Sequence, residues 1–263
     1  MIRSLYSAAS GMLAQQTNID VIANNLANVN TPGFKGSTPQ FEDLLYDTQK
    51  QPGTTLGSGE KTPDSLAVGY GTKVVSTARD FTQGEFVAGD AQYSLAISGR
   101  GFFKVLMADG SGTNAYTRAG NFTLNANGEI VTQDGAKLVG APTIPTGTQS
   151  VAIGTDGTVT LTDSTGATTN AGQITLSDFI NPNGLKAQGN NLFTETDASG
   201  TPTEGKPGLQ GLGSLQQGYV ENSNVSVVNE MVKMITAQRA YEVNSKAIQA
   251  ADNMMQQADN LRQ

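Results

Sequence analysis

The sequence predicts an α+β protein, mainly β with a helix at each end. The N- and C-terminal helices pair as a coiled-coil-like domain, and the middle forms an antiparallel β-sandwich or partial barrel domain. Apolar residues recur at heptad spacing at both ends, short apolar runs separated by Asn-Gly and Asp-Gly turns fill the middle, and Gly-, Thr- and Pro-rich stretches join the parts. On this reading residues 1–30 are a helix and 31–90 an extended connector with a loop or arm at 47–68. Residues 91–217 are the β domain and 218–263 the closing helix.

In the first helix Leu5, Ala8, Met12, Gln15, Ile19, Ile22, Leu26 and Val29 follow one another at alternating steps of three and four, a coiled-coil seam interrupted by Gln15. In the last helix Val227, Met234, Tyr241, Ile248 and Met255 fall seven apart, and Val228, Ile235, Ala251 and Ala258 widen the stripe. Ser226 or Asn224 is the expected N-cap, with Glu230 near the positive end of the helix dipole. At about 1.5 Å per residue the helices would run roughly 39 and 54 Å, further than a compact middle covers.

Two kinds of partner fit these seams: each other within one chain, or helices of other copies. The outer face of the first helix carries Gln16, Thr17, Asn18, Asn24, Asn25 and Asn28 with only Arg3 and Asp20 charged. Amides tolerate close, wet contact without the desolvation penalty of a buried charge, which favours contact with other subunits.

Asn30-Thr31-Pro32-Gly33 ends the first helix, since Pro disfavours helix at the residue before it. Phe41 to Tyr46 form a short apolar segment, and residues 49–65 read as a loop or arm. Val74 and Val75 mark a strand. Further strands are expected over residues 101–106, 121–124, 129–131, 137–139, 151–153, 159–161 and 173–176, with turns at Asp109-Gly110, Asn127-Gly128, Asp134-Gly135 and Asp156-Gly157.

The 263-residue chain has no Cys, His or Trp, which removes thiol nucleophiles, disulfides, imidazole bases and Cys/His zinc sites. A net charge of −7 disfavours nucleic acid and anionic lipid. No stretch is long and apolar enough to insert in a membrane, and residues 1–11 lack the apolar core of a cleaved signal peptide. Ser98-Gly99-Arg100-Gly101 precedes a strand rather than a helix and reads as a turn, not a phosphate loop. Asp156 and Asp163 lack the clustering of a calcium loop, and the sequons at Asn121 and Asn224 are of the kind an Asn-rich chain produces by chance. No carboxylate pair is nominated for acid–base work. No catalytic residue, cofactor or metal is expected.

Within residues 22–35, Asn24, Asn25, Leu26, Ala27, Asn28, Pro32, Gly33 and Phe34, followed by Lys35, closely resemble the N-terminal signature of the bacterial flagellar rod and hook proteins. Gln238, Arg239, Ala240, Tyr241 and Asn244 resemble the closing helix of the same family. Phe41, Leu44, Leu45, Tyr46, Pro52 and Gly53, with Tyr116-Thr117-Arg118, are similar to its distal rod branch. The resemblance implies a non-enzymatic drive-shaft subunit that polymerises helically with itself and meets proximal rod and hook proteins and the bushing rings of the basal body. It would cross the periplasm, be exported by the flagellar type III apparatus without a cleaved signal, and enclose the export channel. On that view Leu5, Met12, Ile19, Ile22, Leu26, Val29, Val227, Met234, Ile235, Tyr241, Ile248, Ala251 and Met255 lie at subunit interfaces. A proximal rod or hook-type axial protein is the neighbouring alternative. A secreted β-rich adhesin or a wall hydrolase would belong to another class.

Overall fold

The computed structural model describes residues 2–52, 64–89, 91–108 and 112–260. Gly53, the Asp109-Gly110 turn and most of the expected 49–65 loop lie outside them. The chain forms two units. One comprises Met1–Ala27, Ser37–Ala78 and Ser226–Gln263, the other Asn28–Gly36 and Arg79–Val225. The segment read as a connector is thus divided between them, and residues 218–225 fold with the second unit.

In the first unit, helix α1 (Ile2–Ala27) packs along helix α2 (Val227–Asn260). Gly11 explains the close approach: a Cβ there would lie 2.8 Å from the Asn244 amide nitrogen, so the residue that weakens a helix interior is the one that admits its neighbour. Ala8 and Ile22 of the predicted seam are buried, and Leu5, Met12, Gln15, Ile19 and Leu26 are half-buried. Val29 is a correction. The helix stops at Ala27 because the Asn28 carbonyl accepts the Thr31 N–H at 3.1 Å, which leaves Val29 in the turn.

On α2 the line through Met234, Ile248 and Met255 is half-buried as the period predicts, and Tyr241 is 41% exposed. Of the residues that widen the stripe, Ala251 lies inward and is buried together with Glu230 and Ala237, with Asn244 half-buried, whereas Val228 and Ile235 point outward at 70% and 52% exposure and Ala258 is exposed. Small and polar side chains permit close helix packing yet carry little weight in a hydrophobic pattern, so of this inner flank periodicity picks out Ala251 alone. Ser226 takes the N-cap position, its carbonyl accepting the Glu230 N–H at 3.0 Å. Asn224 does not cap, because its side chain is bound elsewhere.

The Phe41–Tyr46 segment is not one strand. Ser37–Asp43 pairs with Thr72–Arg79, Leu44 and Leu45 turn the corner, and Tyr46–Lys50 pairs antiparallel with Leu66–Gly69, Tyr46 opposite Gly69.

The second unit is built on an antiparallel sheet running in the order Lys186–Gly189, Leu192–Thr194, Asn114–Thr117, Phe102–Leu106, Lys137–Leu138, Ile130–Val131 and Thr123–Leu124. Leu176–Asp178 and Thr203–Gly205 are joined to it as well. A three-stranded sheet of Thr148–Ile153, Thr158–Asp163 and Thr168–Gln173 supplies Val151, Val159 and Leu161 to the same core as Leu95, Ile97, Phe103, Val105, Phe122, Ile130, Leu138, Ile174, Leu176 and Leu215. The strand expected over 173–176 is broken at Ile174, whose N–H turns to the Gly157 carbonyl at 2.8 Å and carries the chain from one sheet to the next. Asn127-Gly128, Asp134-Gly135 and Asp156-Gly157 turn with glycine φ of 76°, 83° and 83°, as expected of them.

A second cluster of Phe102, Tyr116, Phe179 and Phe193 packs edge-to-face, Tyr116 and Phe179 with ring centroids 4.8 Å apart. Burial pushes the Tyr116 hydroxyl up to about 12, with the nearby Glu195 carboxylate adding to the rise.

Candidate functional sites: two polar nodes and an apolar surface

Asn25, expected on the outer face of α1, is instead 3% exposed. Its amide donates to the Ser37 carbonyl at 2.8 Å and accepts the Ser37 N–H at 2.9 Å, which fixes the start of the Ser37–Asp43 strand on the last turn of α1. The same nitrogen reaches Glu230 Oε2 at 3.2 Å, and Glu230 also accepts from Lys233 Nζ at 2.6 Å. One amide thereby ties α1, a strand and the first turn of α2. Among the other motif residues, Leu26 is half-buried, Asn24, Ala27, Gln238 and Arg239 are exposed, and Ala240 is half-buried.

The second node lies inside the Asn28–Gly36 and Arg79–Val225 unit. Glu221 is fully buried, with Lys35 Nζ 2.6 Å from one carboxylate oxygen and Arg118 Nε 2.7 Å from the other. The Gly84 N–H adds a bond of 3.0 Å to the first oxygen. Lys35 also donates to the Thr82 carbonyl at 2.6 Å, and the rest of the Arg118 guanidinium donates to the carbonyls of Ile97, Gly99 and Gly101. Burial lowers the Lys35 ammonium below its ordinary range, the Glu221 carboxylate works against that, and the Arg118 charge adds to the lowering.

This explains the glycine-rich turn. Gly99 and Gly101 adopt φ of 115° and 125°, and their carbonyl oxygens serve a cation, the reverse of an anion-binding loop.

The motif ending the first helix serves this node. Gly33 has φ +70° and donates to the Glu221 carbonyl at 2.8 Å; a Cβ there would stand 2.4 Å from the Ala119 nitrogen. Pro32 accepts from Asn191 Nδ2 at 2.9 Å, and Phe34 is buried. Asn224 accepts the Gly36 N–H at 2.9 Å and donates to the Asp80 carbonyl at 2.8 Å, which is why it is not a helix cap. Lys35 and Arg118 stand in motifs whose resemblance assigns them no role, and Glu221 lies outside those motifs; the one local signal of Lys35 and Arg118 is that each is an isolated charge near glycine and apolar residues.

The first unit also carries an apolar surface. Val227, Val228, Met231, Val232 and Ile235 are all more than 40% exposed along the start of α2, and Tyr6 and Leu13 are exposed on α1. On the hairpins Phe41, Leu45, Tyr46, Leu66, Val68 and Val75 are exposed, Leu45 at 85%; Pro52 is exposed too. Leu44 and Leu45 join Arg3, Tyr6 and Tyr70 around a mostly apolar cleft of about 410 Å³, and Arg3 forms an ion pair with Asp47. Exposed apolar side chains grouped in this way mark interaction surfaces.

Among the described residues no three acidic, Cys or His side chains are grouped to hold a metal, and no helix is long and apolar enough to cross a membrane. Asp156 is used in its own turn, accepting from Thr158 Oγ1 at 2.7 Å.

Comparison with known proteins is consistent along the chain. The flagella basal body rod protein family matches residues 5–35, the flagellar hook protein FlgE/F/G D1 domain residues 96–161, and the flagellar basal body rod FlgEFG protein C-terminal family residues 216–261. The flagellar basal-body rod protein FlgG of Borreliella burgdorferi is 48% identical, spanning 100% of this chain and 99% of its own length.

The chain belongs to the flagellar basal-body rod family.

Within that family, FlgG of Caulobacter vibrioides is 46% identical over 99% of this chain and 100% of its own length. FlgF of the same organism is 37% identical over 94% and 92%. The distal-rod, FlgG branch is therefore the one this chain joins, as a structural subunit of the flagellar basal body. The rod family is not an enzyme class, and membership implies assembly with other rod and hook components.

Proposed function

We propose that this rod subunit polymerises with copies of itself through the apolar surface of the α1–α2 unit, and that it transmits torque without catalysing a reaction. The observation that carries the proposal is the outward line Val228, Val232 and Ile235 on α2, exposed at 70%, 58% and 52%. A Val or Ile side chain contributes about 1.5–3 kcal/mol on going from full exposure to full burial, so covering the exposed parts of many such side chains on each subunit favours assembly. Two different apolar faces, the α2 stripe and the hairpins, favour heterologous contacts, which propagate as a helix instead of closing as a dimer.

On this reading the interface residues of α2 include Val227, Ile235 and Tyr241, while Ile22 and Ala251 act within the subunit by holding the helices together. The hairpin residues Phe41, Leu45 and Tyr46 meet neighbouring copies. Proximal rod and hook proteins stand at the two ends of the stack, the bushing rings surround it in the periplasm, and the type III export apparatus delivers the subunits. Sedimentation and electron microscopy of purified chain test the proposal. Ile235→Asp should leave the folded monomer intact and abolish polymers; normal polymers from this variant and from Val232→Asp would overturn it.

A further inference from the structure

Within the Asn28–Gly36 and Arg79–Val225 unit, two cations from early in the chain, Lys35 and Arg118, are buried around a carboxylate that arrives near its end. Both Lys35 and Glu221 side chains are 0% exposed and that of Arg118 is 5% exposed. Glu221 is the only acidic side chain bonded to either cation among the described residues; the one other acid felt at Lys35 is Asp80, which acts without a bond. Before Glu221 docks, closing the core over these groups buries two positive charges without a counter-ion, which is strongly unfavourable.

Strand pairing carries the same message independently. The strand Leu95–Ser98, whose Leu95, Ala96 and Ile97 are 0% exposed, has Ser214–Gln217 as its ladder partner, and Phe86–Ala88 has Tyr219–Glu221. Early strands therefore wait for late ones, a non-local pairing that is slow to form.

We infer that Glu221 gates the folding of this unit: the β core stays open until the last dozen or so residues of the unit arrive and the carboxylate neutralises Lys35 and Arg118. The gate is a conformational device belonging to the fold itself. A chain emerging N-terminus first would hold its β core open almost to completion, whatever route it takes.

Refolding of the full-length chain by dilution from denaturant, followed by far-ultraviolet circular dichroism and pulsed hydrogen exchange at residues 95–106, tests the gate. Glu221→Gln should slow refolding at least about tenfold while speeding unfolding less, the mark of an interaction already formed in the transition state. Glu204→Gln, which breaks the exposed ion pair to Lys104, should change neither rate appreciably. An unchanged refolding rate for Glu221→Gln, with the whole effect on unfolding, would overturn the inference, as would equal slowing by Glu204→Gln.

If Glu221→Gln does not fold, the double variant Lys35→Met with Glu221→Gln decides. It removes one buried cation together with the anion and leaves Arg118 its three backbone carbonyls. Recovery of folding supports the gate, and failure to recover overturns it.

Discussion

In the Arg79–Val225 unit Leu95, Ile97, Phe103, Val105 and Leu138 are completely buried, and exposed residues such as Ile180 and Leu209 are scattered. In the unit of α1, α2 and the two hairpins, by contrast, Leu13, Leu45, Val232, Ile235 and Val243 each expose more than half their surface, and only a few residues such as Ala14, Ile22, Ala237 and Ala251 are buried. The difference teaches what each unit needs. The β unit contains its own core and satisfies its buried charges internally, whereas the helical unit is complete in its polar node at Asn25 but incomplete in its apolar packing. A subunit that must be stable before joining a polymer, and must join it through unfilled surfaces, needs both kinds of region.

The sharpest way to break this contrast is Glu221→Gln. It leaves Lys35 and Arg118 buried against a neutral group and should destabilise the β unit by about 3–5 kcal/mol, read as a lower denaturation midpoint of the β signal. Gly33→Ala comes next: a left-handed φ costs an L-residue roughly 1–2 kcal/mol. The added contact with the Ala119 backbone should raise the loss above about 2 kcal/mol, in the same unit.

Asn25→Ala acts on the other side of the comparison. Removing the amide leaves the Ser37 backbone groups and Glu230 short of partners, at about 1–3 kcal/mol, and should speed hydrogen exchange at the end of α1 while the β unit unfolds at its usual denaturant concentration. Smallest in stability, within about 0.5 kcal/mol, is Ile235→Asp, whose effect should appear in sedimentation as loss of polymer.

The parts legible in sequence were those written locally. The Met234, Ile248 and Met255 period located a half-buried line on α2, and three described Asn-Gly or Asp-Gly turns marked hairpins because only a residue tolerant of positive φ fits there. What stayed hidden depends on distant partners. Lys35 and Glu221 are 186 residues apart, and nothing near either announces the other. Ala237, Asn244 and Gly11 were missed because their contribution is smallness, which a hydrophobic pattern does not score. The strands Leu95–Ser98 and Ser214–Gln217 were missed for a related reason: each is short, and each is a strand because it pairs with the other.

The central claim is that the β unit is self-sufficient while the helical unit is completed by neighbouring copies. Hydrogen exchange measured by mass spectrometry on soluble monomer and on assembled polymer tests it most directly. The account predicts strong protection of residues 95–106 and 114–117 in both states, with α1, α2 and the hairpins exchanging quickly in the monomer and becoming protected on assembly. Equal protection of α2 in monomer and polymer would contradict it.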